Sequence, residues 1–208
     1  MNVERIHKNM HKINEMSDVQ EELFIRSSLG FMAYHGGTLE KATDVVAREA
    51  AKISGSSYYG LIQTADDPTH FPSTQMIDDK SEDLETFLNH VEIVITIHGY
   101  GREHLFHSVL LGGQNRSLAV HLAAFLRIAL PEYSFETSLD EIPKELRGLH
   151  PKNPVNVPPL AGVQLELPPT LRWNREEWGW SDNGGIGRAK QVDTLIASLS
   201  SAVKAWPL

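Results

Sequence analysis

Three short segments carry residues that could do chemistry together. In the first, His35-Gly36-Gly37-Thr38-Leu39-Glu40, an imidazole and a carboxylate flank two glycines. The glycines permit a sharp bend, which would carry both side chains to one point, and both suit a borderline-soft divalent ion such as zinc. The plainer alternative is a histidine that ends a strand and a glutamate that opens a solvated helical turn. In the second segment, Thr96-Ile97-His98-Gly99-Tyr100, a histidine again stands where an apolar run stops. Ligands of open α/β sheets bind beyond the carboxyl ends of the strands, so two histidines placed this way are positioned to converge. Taken singly, a strand-end histidine is more often a hydrogen-bonded core residue. His104 and His107 are alternative donors nearby, but a loop residue loses more entropy on being held, which favours His98. In the third, Gly162-Val163-Gln164-Leu165-Glu166-Leu167, a carboxylate interrupts an apolar strand. A buried glutamate needs a partner or a purpose; beside a metal it can take a proton from bound water. Otherwise Glu166 lies on the solvent face of an edge strand.

The elements that must position these groups are legible from periodicity. Apolar runs predict strands at Glu22 to Arg26, Leu29 to Tyr34, Ser57 to Gln63, Val91 to Ile97, Val109 to Leu111, Tyr133 to Thr137 and Gly162 to Leu167. Between them lie helical patterns, with Ala42, Val45, Val46, Ala50 and Ile53 on one face, then Ser81 to Asn89, then Leu118, Leu122, Phe125, Leu126 and Ala129 on one stripe. A last helix, from about Arg188 to Ala205, turns Val192, Leu195, Ile196, Leu199 and Val203 inward. The proline-rich stretch 143–169 runs mostly as extended loop. Residues 1–20 have weak periodicity and read as a short helix or loose arm. The alternation of strand and helix predicts an α/β fold, a single domain over residues 1–208 with a mixed β-sheet flanked by helices.

Composition narrows the function classes. With no cysteine, thiolate ligands and disulfides are excluded, and any transition metal must be held by His, Asp and Glu. The 19 Lys plus Arg against 27 Asp plus Glu give a net charge of −8, which argues against a nucleic-acid partner. An anionic substrate would therefore need a locally basic pocket. No stretch approaches the roughly 20 apolar residues of a membrane span, and the polar start lacks a secretory core, so the expectation is a cytoplasmic protein without a membrane partner.

The same residues resemble the poly-γ-glutamate hydrolase family of bacteriophages and bacteria, whose fold is similar to that of zinc carboxypeptidases. The resemblance runs from about Gly30 to Arg172, on the His-Gly-Gly turn with its Glu40, the Ile97-His98-Gly99-Tyr100 strand end, Leu111-Gly112-Gly113 and Gln164-Leu165-Glu166. It implies one zinc ion per chain on His35, Glu40 and His98, with Glu166 as catalytic base. It also implies that Asn115 and Arg116 grip a substrate carboxylate and that His70 lines the pocket. Arg172, close to Glu166 in sequence, is a candidate second positive charge for the substrate or the oxyanion. The implied reaction is hydrolysis of γ-glutamyl amides in an anionic, peptide-like substrate, and a phage-encoded enzyme would be released by lysis.

The chain departs from the family at Thr38, which stands where a third glycine is common and is expected to N-cap the next helix. The segment containing Trp173, Trp178, Trp180 and Gly184 to Gly187 has no counterpart in the pattern. The runner-up reading is a non-catalytic metal- or carboxylate-binding module, and a nucleotide site on Gly184 to Gly187 ranks last because no strand precedes it.

Overall fold

The computed structural model describes residues 3–7, 18–78, 80–182 and 187–207. Along the chain the elements are β1 (Val3–His7), β2 (Val19–Ile25), β3 (Leu29–Gly37), α1 (Thr43–Ser54), β4 (Ser57–Gln63), α2 (Gln75–Asp78), α3 (Glu82–His90) and β5 (Ile93–Gly99). They continue with β6 (Ser108–Leu111), α4 (Arg116–Ala129), β7 (Ser134–Glu136), β8 (Gly162–Leu167), α5 (Pro169–Arg172), β9 (Trp173–Asn174), β10 (Gly179–Trp180) and α6 (Lys190–Lys204). Eight strands form one mixed sheet in the order β1-β2-β4-β3-β5-β8-β6-β7. Its centre, β4-β3-β5-β8, is parallel, while β2 and β6 run antiparallel to that centre.

Parallel strands covered on both sides read as continuous apolar runs rather than as alternating ones, and β5, Ile-Val-Ile-Thr-Ile-His-Gly, is buried through His98. One face carries Phe31, Ile95, Ile97, Val163 and Leu165 against α1, α4 and α6. The other carries Met32, Tyr34 and Val94 against α3, which supplies Leu84, Phe87 and Leu88. Ser81 caps α3 by accepting from the Leu84 N–H at 2.9 Å, so this helix begins where its sequence predicts.

Three expectations are corrected. Residues 3–7 form an edge strand rather than a helix, because Val3 to His7 pair with Ile25 to Glu21 and so satisfy the free edge of β2; residues 8–17 lie outside the described set. Thr38 caps no helix: its hydroxyl donates to the carbonyls of Gln63 and Ala65, and α1 starts after Ala42, which has a left-handed φ of 70°. Ile53 is 49% exposed at the end of α1, beyond the reach of the sheet. The tryptophan segment builds the hairpin β9–β10, with Trp173 and Trp180 edge to face at 5.3 Å, while Trp178 is exposed. Gly184 to Ile186 lie outside the described residues. None of the described helices is long and apolar enough to cross a membrane.

Candidate active site

Three of the four principal candidates come from the carboxyl ends of adjacent parallel strands. The β5–β8 register pairs His98 with Glu166, so their side chains leave the sheet side by side on one face. His35 would face the opposite side by strict alternation. An extra residue in β3 between Ala33 and Gly36, relative to β4, reverses that parity and aims the imidazole toward His98. The ring centroids of His35 and His98 are 5.1 Å apart, and the Tyr34 ring stands edge-on to both at 4.8 and 4.6 Å.

Glu40 is brought in by the turn that leaves β3. Its N–H donates to the His35 carbonyl at 2.9 Å, and Gly37, with φ of 75°, passes so close to Gln63 that a Cβ would sit 2.0 Å from its carbonyl oxygen. Only glycine fits there. The Glu40 carboxylate then bridges the cluster. Oε1 lies 2.8 Å from His35 Nδ1, while Oε2 lies 3.2 Å from His98 Nδ1 and accepts the Gly99 N–H at 2.9 Å.

This donor set fits a divalent cation. His35 Nε2 is 2.8 Å from the Phe71 carbonyl oxygen, which can only accept, so Nε2 carries the hydrogen and a neutral ring turns its lone pair toward a carboxylate oxygen. Two acceptors facing one another at 2.8 Å need a proton or a cation. The carboxylate lies at hydrogen-bond distances of 2.8 and 3.2 Å from the two imidazoles, so the three side chains that would hold a zinc ion are already gathered at one point. His98 Nε2 is buried with no partner among the described residues. The donor atoms of His35, Glu40 and His70 also lie within 4.8 Å of one another. Of the two candidate third ligands, His98 is the better held, being 4% exposed at a strand end, whereas His70 is an exposed loop residue whose ring lies 4.8 Å from that of His35.

Electrostatics separates the two carboxylates. Burial would raise the Glu40 pKa, but the positive charges attainable on His98 and His35 reverse this and hold it well below the usual carboxylate range. For His35, burial works against protonation and is outweighed by the Glu40 charge and hydrogen bond, so its pKa is raised. Glu166 is 4% exposed; desolvation, partly offset by His98 and reinforced by the Glu40 charge, pushes it up to about 7. One of its oxygens accepts the Gln164 amide N–H at 2.8 Å. That amide is itself held through Asn153, which donates to Gln164 Oε1 at 2.8 Å and accepts the Tyr34 hydroxyl at 3.2 Å. A cavity of about 480 Å³ opens onto His35, Glu40, His70, His98 and Glu166.

A protein-family model described as poly-gamma-glutamate hydrolase matches residues 2–177. The chain belongs to this family. It is similar to UPF0714 protein YndL of Bacillus subtilis (strain 168), 28% identical over 170 residues that make up 79% of this chain and 64% of YndL, so it spans less than two thirds of that relative's length. A solved structure of zinc-free, apo YndL superposes with a TM-score of 0.79 at 20% identity, covering 97% of this chain and 98% of that one. A bacteriophage poly-gamma-glutamate hydrolase gives 0.74 at 18% identity, over 89% and 87% of the two chains. A metallo-carboxypeptidase from Burkholderia cenocepacia gives 0.58 at 10% identity, over 96% of this chain and 63% of that one. The fold of this family member is thus zinc-carboxypeptidase-like.

The remaining candidates sit differently from expectation. Asn115 is the N-cap of α4, accepting from the Leu118 N–H at 3.0 Å, and Arg116 donates to the carbonyls of Leu111, Gly113 and Thr137. Both line a separate cavity with Glu92 and Ile93 at the start of β5, the opposite end of the strand from His98, because β6 runs antiparallel and returns the chain there. Arg172 is 5% exposed and donates to the carbonyls of Leu167, Lys41 and Tyr100, with Trp180 stacked 5.0 Å from its guanidinium. It braces the turn that carries Glu40 and does not line the cavity. His104 and His107 are exposed before β6 and stand outside the cavity lining. Sequence reasoning missed the roles of Tyr34 and Asn153, which share a hydrogen bond across 119 residues of chain; no local pattern joins them.

Proposed function

We propose that this protein is a zinc-dependent amide hydrolase acting on γ-glutamyl bonds of poly-γ-glutamate, with His35, Glu40 and His98 as metal ligands and Glu166 as general base. The observation that carries the reading is the bridging of two strand-end imidazoles by one carboxylate, with a second, protonatable carboxylate on the neighbouring strand. When bound, the ion would polarise the amide carbonyl and acidify the attacking water.

The protein groups divide the remaining work. Gly99 N–H and the two imidazoles hold Glu40 ionised as an acceptor, so it serves as a ligand and not as a base. Glu166, raised to about 7, is poised both to accept a proton and to return it near neutrality. The Gln164 amide fixes Oε1 of Glu166, which leaves Oε2 to take the proton from water and pass it to the leaving amine nitrogen. Water attacks directly, and no acyl-enzyme is required. The membership of the chain in a poly-γ-glutamate hydrolase family supports the substrate.

The test is to purify the protein, measure bound metal, remove it by chelation, and follow the length of poly-γ-glutamate chains by size-exclusion chromatography before and after zinc is restored. Chain shortening that depends on zinc is expected. Failure to bind zinc, or cleavage that persists after the metal is stripped, would sink the proposal.

A further inference from the structure

An anionic chain needs positive charge near the scissile bond, and neither Arg116 nor Arg172 provides it there. A second cavity, of about 520 Å³, adjoins the first and shares Pro72, Ser73, Glu145 and Gln164 with it. Its lining includes Lys144, Arg147 and His150. In a protein with net charge −8, this is a local reversal of sign beside the candidate metal site. The one carboxylate in the shared wall, Glu145, is neutralised by the Arg102 guanidinium at 2.6 Å.

Arg147 is built into this wall rather than draped over it. Its carbonyl accepts the Gly113 N–H at 2.8 Å, which ties the backbone to the end of β6, and its Nε donates to the Ile142 carbonyl at 2.8 Å. The side chain is thereby oriented through Nε, while its two terminal nitrogens have no partner among the described residues. A half-buried guanidinium fixed at one nitrogen and open at the other two is pre-organised for a carboxylate. Arg172 and Arg116 differ in this respect, since their terminal nitrogens are already donated to backbone carbonyls.

We propose that this second cavity is the subsite for a substrate carboxylate, gripped by the Arg147 guanidinium with Lys144 beside it. In a chain of glutamates joined through their side-chain carboxyls, every residue keeps a free α-carboxylate. The residue next to the scissile amide would place one such group in the adjoining cavity. Gln164 stands at the boundary, with its amide on Glu166 and its side chain lining both cavities, so binding here would set the distance between the bound carboxylate and the base. This inference rests on the hydrolase reading and names the residue that selects for an anionic chain.

The experiment compares zinc-loaded wild type with Arg147→Gln and Lys144→Gln, using Lys52→Gln on the far end of α1 as a control for lost net charge. Substrates are a γ-linked glutamate oligomer and the same oligomer with its α-carboxylates methyl-esterified. Loss of one charge-assisted contact by a half-buried group predicts a KM for the anionic oligomer raised roughly tenfold in Arg147→Gln. The kcat should stay within about twofold, as expected for lost ground-state binding. Lys144→Gln should give a smaller rise and Lys52→Gln none, and the KM of the ester should be the same in all four proteins. An unchanged KM for the anionic oligomer in Arg147→Gln, or an equal rise for the ester, overturns the inference. Should wild type cleave neither substrate, the hydrolase reading fails; calorimetric binding of the anionic oligomer to wild type and Arg147→Gln then decides this one, with equal affinities overturning it.

Discussion

Replacing Glu166 by glutamine separates catalysis from stability, because the two effects run in opposite directions. The variant keeps the shape and a carbonyl oxygen that can accept the Gln164 amide N–H now made to Oε1 at 2.8 Å. Loss of a general base costs roughly 10²–10⁴ in rate. Stability follows from linkage. The folded pKa of about 7 lies above the ordinary value of 4.5, so between these limits the folded state binds more protons than the unfolded one. The contribution of Glu166 is thus fully present below about pH 4.5 and is lost as pH rises through 7. At 1.36 kcal/mol per unit, keeping this buried carboxylate ionised costs the metal-free fold about 3 kcal/mol at pH 8. Metal-free Glu166→Gln should therefore be more stable than wild type at pH 8, by up to about 3 kcal/mol, and equal to it near pH 4. For a chain of this size such a gain raises the melting temperature by roughly 10 °C. A zinc ion bound beside Glu166 would lower the folded pKa through its own charge, so the gain should shrink in the loaded protein. The assays are urea denaturation of chelated protein from pH 4 to 8 and turnover of poly-γ-glutamate by zinc-loaded protein. Turnover within tenfold of wild type, or a variant less stable than wild type at pH 8, would refute the assignment of Glu166 as a buried base held ionised at a cost.

Other perturbations follow from the same geometry. His98→Ala should weaken zinc binding by more than roughly a hundredfold in competition with a chromogenic chelator, since a direct ligand matters more than an outer partner; unchanged affinity would transfer its role to His70. Arg172→Met leaves the carbonyl of Lys41 without its donor and that of Leu167 with only the Tyr100 N–H, and is expected to destabilise the fold by about 2–4 kcal/mol in urea titrations while the KM for anionic substrate stays unchanged. A raised KM with intact stability would instead make Arg172 a substrate contact. Gly99→Ala puts a Cβ 2.6 Å from the Arg172 guanidinium carbon, so its unfolding free energy should fall by about 1–3 kcal/mol. Zinc affinity should fall with it, because the Gly99 N–H holds Glu40, and wild-type stability in this variant would contradict the packing.

How much of this was legible depends on whether a residue's role is local or crosses the sheet. His98 and Glu166 could be read because β5 and β8 are apolar runs broken near their ends, and although one strand-end polar group has ordinary explanations, several at the carboxyl ends of neighbouring buried strands point to one site. Glu40 was legible through the glycine turn. The facing of His35 was not, since period-two alternation aims it away from His98 and only the extra residue in β3 corrects this, a feature defined by pairing with β4. Arg116 and Arg172 misled for a related reason: an arginine near a motif in sequence looks available for substrate, yet whether its nitrogens are free depends on which carbonyls surround it. Arg172 lies only six residues past Glu166 and is bound to the Lys41 carbonyl from 131 residues away. Arg147 lies in the irregular segment between β7 and β8, with no periodicity to single it out, and is oriented by the Ile142 carbonyl while its backbone is tied to Gly113. Polar groups at strand ends are announced by the strand, whereas the orientation of an arginine on a loop is decided by long-range hydrogen bonds. On the proposed assignment, variation within this fold should leave His35, Glu40, His98 and Glu166 in place and alter substrate choice chiefly through the segment that carries Arg147.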